Sequence, residues 1–169
     1  MSDKMTIAQA LRRIKKLKGL MAESAHRAQV GVRYDASQVP AFRYQASFDA
    51  MVKAQQEMLD LESRVAVANA QAGVHYQGTF LTLARAIREL QELKGRVAFL
   101  KGLNLKAETI KDRQSEWDDT EMKHITRVTE TVFVSDLSEQ ARDKQVKQTQ
   151  DEFETLNNLV EDANHIVTV

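Results

Sequence analysis

Apolar residues return every three or four positions from Ile7 onward, so that Ile7, Leu11, Ile14, Leu17 and Met21 fall in one stripe at 3.6 residues per turn. Leu83, Ile87, Leu90, Leu93 and Val97 form a second stripe of the same kind. Both predict amphipathic helices with the stripe as core. Thr6, with Gln9 three residues on, fits a capping box, and Thr82 holds the corresponding place before its own apolar run. A further helix is predicted over Ser47 to Ala70, supplying Phe48, Val52, Met58, Leu59 and Val65. Another covers Ser138 to Asp162, supplying Val146, Phe153, Leu156, Leu159 and Val160.

The first two stripes are copies of one another. Met5 to Ala22 reads MTIAQALRRIKKLKGLMA and Leu81 to Ala98 reads LTLARAIRELQELKGRVA, so a shift of 76 pairs Thr6 with Thr82, Ala10 with Ala86, Arg12 with Arg88 and Leu17-Lys18-Gly19 with Leu93-Lys94-Gly95. Phe48 to Asn69 matches Asp143 to Asn164 at a shift of 95, aligning Leu61 with Leu156, Val65 with Val160 and Ala68-Asn69 with Ala163-Asn164. The second copy therefore carries an insert longer by 19 residues. The chain reads as one domain, residues 1–169, of two pseudo-repeats, about 5–76 and 81–169, each running helix, insert, helix, short extended tail. The expected fold is mainly α, an antiparallel four-helix bundle built from two tandem helix pairs with small β-hairpin inserts.

The inserts lose the helical period. In VGVRYDASQVPAFRY, Val30, Val32 and Tyr34, then Phe42 and Tyr44, alternate on period two around Asp35 to Gln38, which predicts a hairpin. Glu121 to Val134 is the stretch richest in Val, Thr, Ile and Phe and predicts a strand, with Ser135 and Asp136 opening the last helix. Gly73 to Tyr76 and His165 to Val169 each predict a short strand beyond a helix end, so the bundle would carry a small β cap.

LTLARAIRELQELKGRVAFLKGL, the VFVSDLSEQ approach to the final helix and the closing LNNLVEDANHIVTV together resemble the septicolysin-like family, helical bacterial and phage proteins of unassigned function. The resemblance covers most of the chain apart from the first insert. Although the family name suggests a cytolysin, the sequence offers neither long alternating strands nor the apolar segment of a pore.

Composition narrows the chemistry. With 43% hydrophobic and 28% charged residues the chain has a globular balance, and 24 cations against 24 anions leave no global field to draw it to nucleic acid or an anionic membrane. Having no cysteine, it has no disulfide framework, thiol nucleophile or thiolate metal site. No stretch approaches a membrane span and the N-terminus does not read as a signal peptide, so a cytoplasmic protein is expected, in the host cytoplasm if phage-encoded. His26, His75, His124 and His165 occur at no metal-ligand spacing, the acidic run Ser115 to Glu121 reads as a solvated loop, and no nucleophile elbow or phosphate-binding glycine loop is present. No catalytic residue, metal or cofactor is assigned, and an enzyme is not expected.

Two features rise above this background. Ala8, Arg12, Gly19 and Ala22 lie about 60° to 140° from Ile7 around the helix, and Ala84, Arg88, Gly95 and Ala98 repeat the pattern, a small-residue face suited to close approach by another chain. The doubled Arg33-Tyr34 and Arg43-Tyr44 would present arginines on one face of a hairpin and tyrosines on the other, suited to an anion with an aromatic group, with Arg12 and Arg88 as further candidates. Trp117 reads as an anchor of the second insert. The expected function is a non-enzymatic, homo-oligomeric helical binding or scaffold protein. The alternative is a sponge that sequesters an anionic small molecule such as a cyclic nucleotide immune signal, which suits a phage anti-defence role. Neither a membrane nor a nucleic-acid polymer is an expected partner.

Overall fold

The computed structural model describes residues 4–120 and 122–169, and Glu121, part of both the acidic run and the strand expected from it, lies outside them. The elements in order are α1 (Ile7–Gly31), α2 (Tyr44–Gln71), β1 (Gly73–Tyr76), β2 (Thr79–Thr82), α3 (Leu83–Gly102), β3 (Glu108–Asp118), β4 (Lys123–Phe133) and α4 (Glu139–Ile166). The protein is mainly helical with two small antiparallel sheets. Two compact units divide it: one takes the chain up to Gln91 together with Glu154–Val169, the other Glu92–Phe153.

In the first unit α1 opens with the expected capping box. The Gln9 amide donates to Thr6 Oγ1 at 3.3 Å and the Thr6 amide donates to Gln9 Oε1 at 2.9 Å. The buried residues of α1 are Ile7, Ala10, Ile14, Leu17, Ser24, Ala28 and Gly31, and with half-buried Met21 they alternate steps of three and four. On α2, Ala54, Leu61, Val65 and Ala68 are buried, with Met51 and Met58 half-buried between and before them on the same alternation. That is a heptad seam, the pattern by which two helices keep one narrow edge in contact along their length. The stripe read from bulk alone was too broad: Leu11 is 46% exposed and Leu59 53%, while Ala10, Ser24 and Ala28 hold the seam positions instead.

The connection between α1 and α2 is a turn, not the expected hairpin. The seam carries α1 on through Gly31, and α2 begins at Tyr44, which leaves only Val32 to Arg43 to reverse the chain. Asp35 organises that segment: its Oδ1 accepts from the Ser37 amide at 2.9 Å and the Ser37 hydroxyl at 2.8 Å, and its carbonyl accepts from Gln38 at 2.9 Å. A Cβ on Gly31 would stand 2.5 Å from the Phe42 carbonyl oxygen, so the reversal needs a glycine there.

Beyond α2, β1 and β2 pair from Gly73 opposite Thr82 to Tyr76 opposite Thr79, around Gln77 and Gly78 with φ of 48° and 78°. Two central residues with positive φ make the two-residue turn whose twist suits a hairpin. Thr82 then caps α3, its Oγ1 accepting from the Arg85 amide at 3.3 Å.

The helix starts are tied to helix ends by two corresponding bonds. The Leu83 amide donates to the Ala72 carbonyl, just past α2, at 2.9 Å, and the Ile7 amide donates to the Val167 carbonyl, just past α4, also at 2.9 Å. Ile7 and Leu83 differ by 76, and Ala72 and Val167 by 95, the two shifts of the sequence repeat. The Thr82–Gly73 pairing and the isolated Thr6–Thr168 bridge correspond by the same shifts. Burial follows them too: Ile7 and Leu83, Ala10 and Ala86, Leu61 and Leu156, and Val65 and Val160 are each buried as pairs.

In the second unit β3 and β4 form an antiparallel ribbon, in register from Glu108 opposite Phe133 to Asp118 opposite Lys123. The strand expected over Glu121 to Val134 is β4; its partner is the charged stretch ETIKDRQSEWD, of which Ser115 to Asp118 belong to the run expected as solvated loop and the rest carried no expected element. The final helix starts at Glu139 and not at Ser135. The Ser138 hydroxyl caps it by accepting from the Ala141 amide at 3.1 Å, whereas Ser135 is engaged with Leu137.

Leu156 is fully buried, and Leu156→Ala should lower the unfolding free energy in a urea titration by about 2–5 kcal/mol. Gly73→Ala should also destabilise, because its Cβ would collide with the Leu81 carbonyl oxygen and the Phe80 ring. Wild-type midpoints for both would contradict this packing.

Candidate functional site

The first candidate is the α1–α2 turn and the groove beside it. Arg33 and exposed Tyr34 lie within the turn, Arg43 is the residue before α2, and Tyr44 is its first residue. Because no strand pairing exists there, the alternation that would have gathered the arginines on one face and the tyrosines on the other is missing. Tyr44 instead stacks on Phe48, one helical turn on, with ring centroids 5.7 Å apart and planes 18° apart. The pair forms one wall of an open groove of about 360 Å³, closed by Ala25, Ala28, Gln29 and Val32 of the first-helix side and by Met51. Sequence reading missed Arg27, whose guanidinium sits 5.1 Å from the Phe42 ring centre while also pairing with Glu23.

The second candidate is the small-residue face. Gly19, Ala22, Ala84, Gly95 and Ala98 are exposed, as are Arg12 and Arg88, and Ala8 is half-buried. A Cβ placed on Gly19 or Gly95 would meet no described atom within 4 Å.

The third is the ribbon. Trp117, expected as an anchor, is 52% exposed and meets His124 edge-on across the strands at 5.0 Å between centroids. His124 Nδ1 also lies 3.4 Å from the Ser115 hydroxyl. Lys111 pairs with Glu130 directly opposite, and Arg127 with Glu116 at 3.5 Å. At the base of the ribbon an open cavity of about 520 Å³ has a mixed lining, apolar from Leu103, Leu105, Ile110, Phe133, Val134 and Leu137 and polar from Asn104, Lys106, Glu108, Ser135 and Asp136.

Electrostatics point to structure in the described residues that shift. Arg13 Nε donates to Glu57 Oε1 at 2.7 Å, which ties α1 to α2 and raises the arginine pKa while lowering that of the carboxyl. Asp35 is lowered by the Ser37 amide and hydroxyl. All three shifts favour the charged form, opposite to the neutral reservoir that a general acid holds at neutral pH. Among the described residues no three His, Asp or Glu side chains are grouped to hold a metal ion, and no helix is long and apolar enough to cross a membrane.

No protein-family model matches the chain, and no curated protein matches it. Its structure is similar to the crystal structure of a functionally unknown conserved protein from Corynebacterium diphtheriae, with a TM-score of 0.73 over 99% of each chain and 15% sequence identity. At that identity the likeness shows a shared fold.

A depressed Glu57 pKa contributes stability that is present above the ordinary carboxylate range and is lost as pH falls through the folded value. Denaturation midpoints of wild type and Glu57→Gln should therefore differ slightly at pH 7 and converge as pH falls below the ordinary carboxylate range, with the difference also shrinking in high salt. A gap that persists at low pH would show that the ion pair is not its source.

Proposed function

We propose that the protein is a non-enzymatic, homo-oligomeric binding or scaffold protein, a duplicated helix pair arranged as a four-helix bundle and related to the septicolysin-like family. The observation that carries the oligomeric reading is the pair of glycines. Gly19 and Gly95 occupy equivalent interior positions of two long helices, and each costs about 1 kcal/mol relative to alanine. Gly31 and Gly73 have steric reasons within the chain, but an added methyl at Gly19 or Gly95 meets no described atom. Close approach by another subunit along Ala8, Gly19 and Ala22 and along Ala84, Gly95 and Ala98 accounts for both. The expected location remains the cytoplasm.

Replacing both residues, Gly19→Leu with Gly95→Leu, should lower the molar mass measured by light scattering while far-UV helicity persists. An unchanged mass in the leucine pair, or a wild-type monomer, would sink the reading.

The groove beside the first turn favours a second reading, capture of an anionic small molecule with an aromatic group. Its Tyr44–Phe48 wall offers a stacking surface, with Arg43 and Arg33 the chain neighbours of the lining residues Tyr44 and Val32, whereas Arg12 and Arg88 do not line it. Calorimetry against mono-, di- and cyclic nucleotides should find a saturable, salt-sensitive ligand whose binding is abolished in Arg33→Ala with Arg43→Ala. Binding that survives the double variant, or none in the wild type, would remove this site.

A further inference from the structure

Every described side chain of β3 and β4 is exposed, large apolar ones included: Ile110, Trp117, Val128, Val132 and Phe133 are each about half open to solvent or more. A two-stranded ribbon is marginal in water and is stabilised by adding strands or covering a face. Its two outer edges are not alike. The β3 edge carries Glu108, Lys111, Asp112, Arg113 and Glu116, the charge density that guards an edge against pairing. In contrast β4 runs Thr126, Arg127, Val128, Thr129, Glu130, Thr131, Val132, mostly β-branched with isolated charges of opposite sign. Acidic and basic residues are interleaved over the ribbon, so it offers no continuous positive strip to a nucleic-acid backbone.

We infer that β4 pairs antiparallel with β4 of a second copy of this chain, joining two ribbons into one four-stranded sheet. This rests on the oligomeric reading above and names an interface for it. Pairing about a two-fold axis normal to the sheet sets residues of equal parity opposite one another, so each register has a residue that meets itself. The register spanning all of β4 is centred on Val128. It places Arg127 opposite Thr129, Thr126 opposite Glu130 and His124 opposite Val132, with no like charges facing. The corresponding register of β3, centred on Arg113, sets that arginine on itself. Moving the centre to Asp112 sets Asp112 on itself and Lys111 on Arg113, and moving it to Gln114 sets Asp112 on Glu116. Directly opposed like charges destabilise a sheet, so the β4 edge is the one that self-associates.

The chain has no cysteine, so a single introduced thiol reports this contact without background. Directly opposite residues stand about 4.5–5.5 Å apart at Cα, inside the range a disulfide bridges. Under mild oxidation Val128→Cys should form a covalent dimer on a non-reducing gel, and Arg113→Cys under the same conditions should not. Val128→Lys sets two ammonium groups against each other and should roughly halve the wild-type mass in sedimentation with helicity retained. If the wild type is oligomeric but Val128→Cys does not cross-link, or only Arg113→Cys does, or Val128→Lys keeps the full mass, the β4 interface is wrong and the oligomer stands on another surface. A wild type that sediments as a monomer would overturn the oligomeric reading and this interface with it.

Discussion

The amides of Ile7 and Leu83 lie in first helical turns, where no carbonyl of their own helix can reach them. Each is satisfied by a carbonyl just past another helix's end, Val167 for Ile7 and Ala72 for Leu83. One bond thus relieves an unpaired donor and an unpaired acceptor together. Ile7 is 1% and Leu83 0% exposed, so in the folded chain these carbonyls take the place of water as the amides' partners. The helical seams inherit their register from these ties. Leu61 and Leu156, like Val65 and Val160, stand at matching distances before the two carbonyls, and they are buried alike. Arg64 reinforces one tie by donating to the Val169 carbonyl at 2.6 Å, while the Val169 amide donates to Met5 at 2.8 Å.

Much of this was legible because local signals and packing agree. Thr6 with Gln9 and Thr82 cap the helices that the apolar period predicts, and the internal repeat anticipated which backbone groups correspond. Errors arose where bulk stood in for position. Leu11 and Leu59 look like core by side chain, yet the seam passes through Ala10, Ser24, Ala28 and Ala54, whose smallness lets two helices close on each other. A search for a 3.5-residue period that admitted small residues would have found them. β3 was hidden for a different reason: a strand exposed on both faces has no apolar alternation to display, and only its partner β4 carries β propensity.

The Arg-Tyr candidates show how a site depends on the element beneath it. Two arginines and two tyrosines separate onto opposite faces only if the backbone between them is extended and paired. Here the helices claim both flanks, so Tyr44 takes its neighbour from helical spacing and stacks on Phe48. The Arg27–Phe42 contact was equally invisible, since it joins a helix to a turn whose course depends on Gly31 passing beneath the Phe42 carbonyl.

Two features break local rules without compensation among the described residues. Interior glycines weaken α1 and α3 at Gly19 and Gly95, and a two-stranded ribbon stands in solvent with Ile110, Trp117, Val128, Val132 and Phe133 exposed. They differ in kind. A glycine forgoes stability locally and permits approach, but adds no attraction of its own. The ribbon exposes unsatisfied apolar surface and a free row of backbone groups, which attract a partner directly. In the proposed assembly the β4 edge therefore supplies the driving force and the helical face supplies room. Weakening the first shifts the association equilibrium without new contacts, whereas filling the second opposes association only where two faces meet. That asymmetry follows from the chemistry of the two surfaces: one gains backbone hydrogen bonds and sets the exposed Val128 beside its own copy, while the other gains only van der Waals contact between backbones.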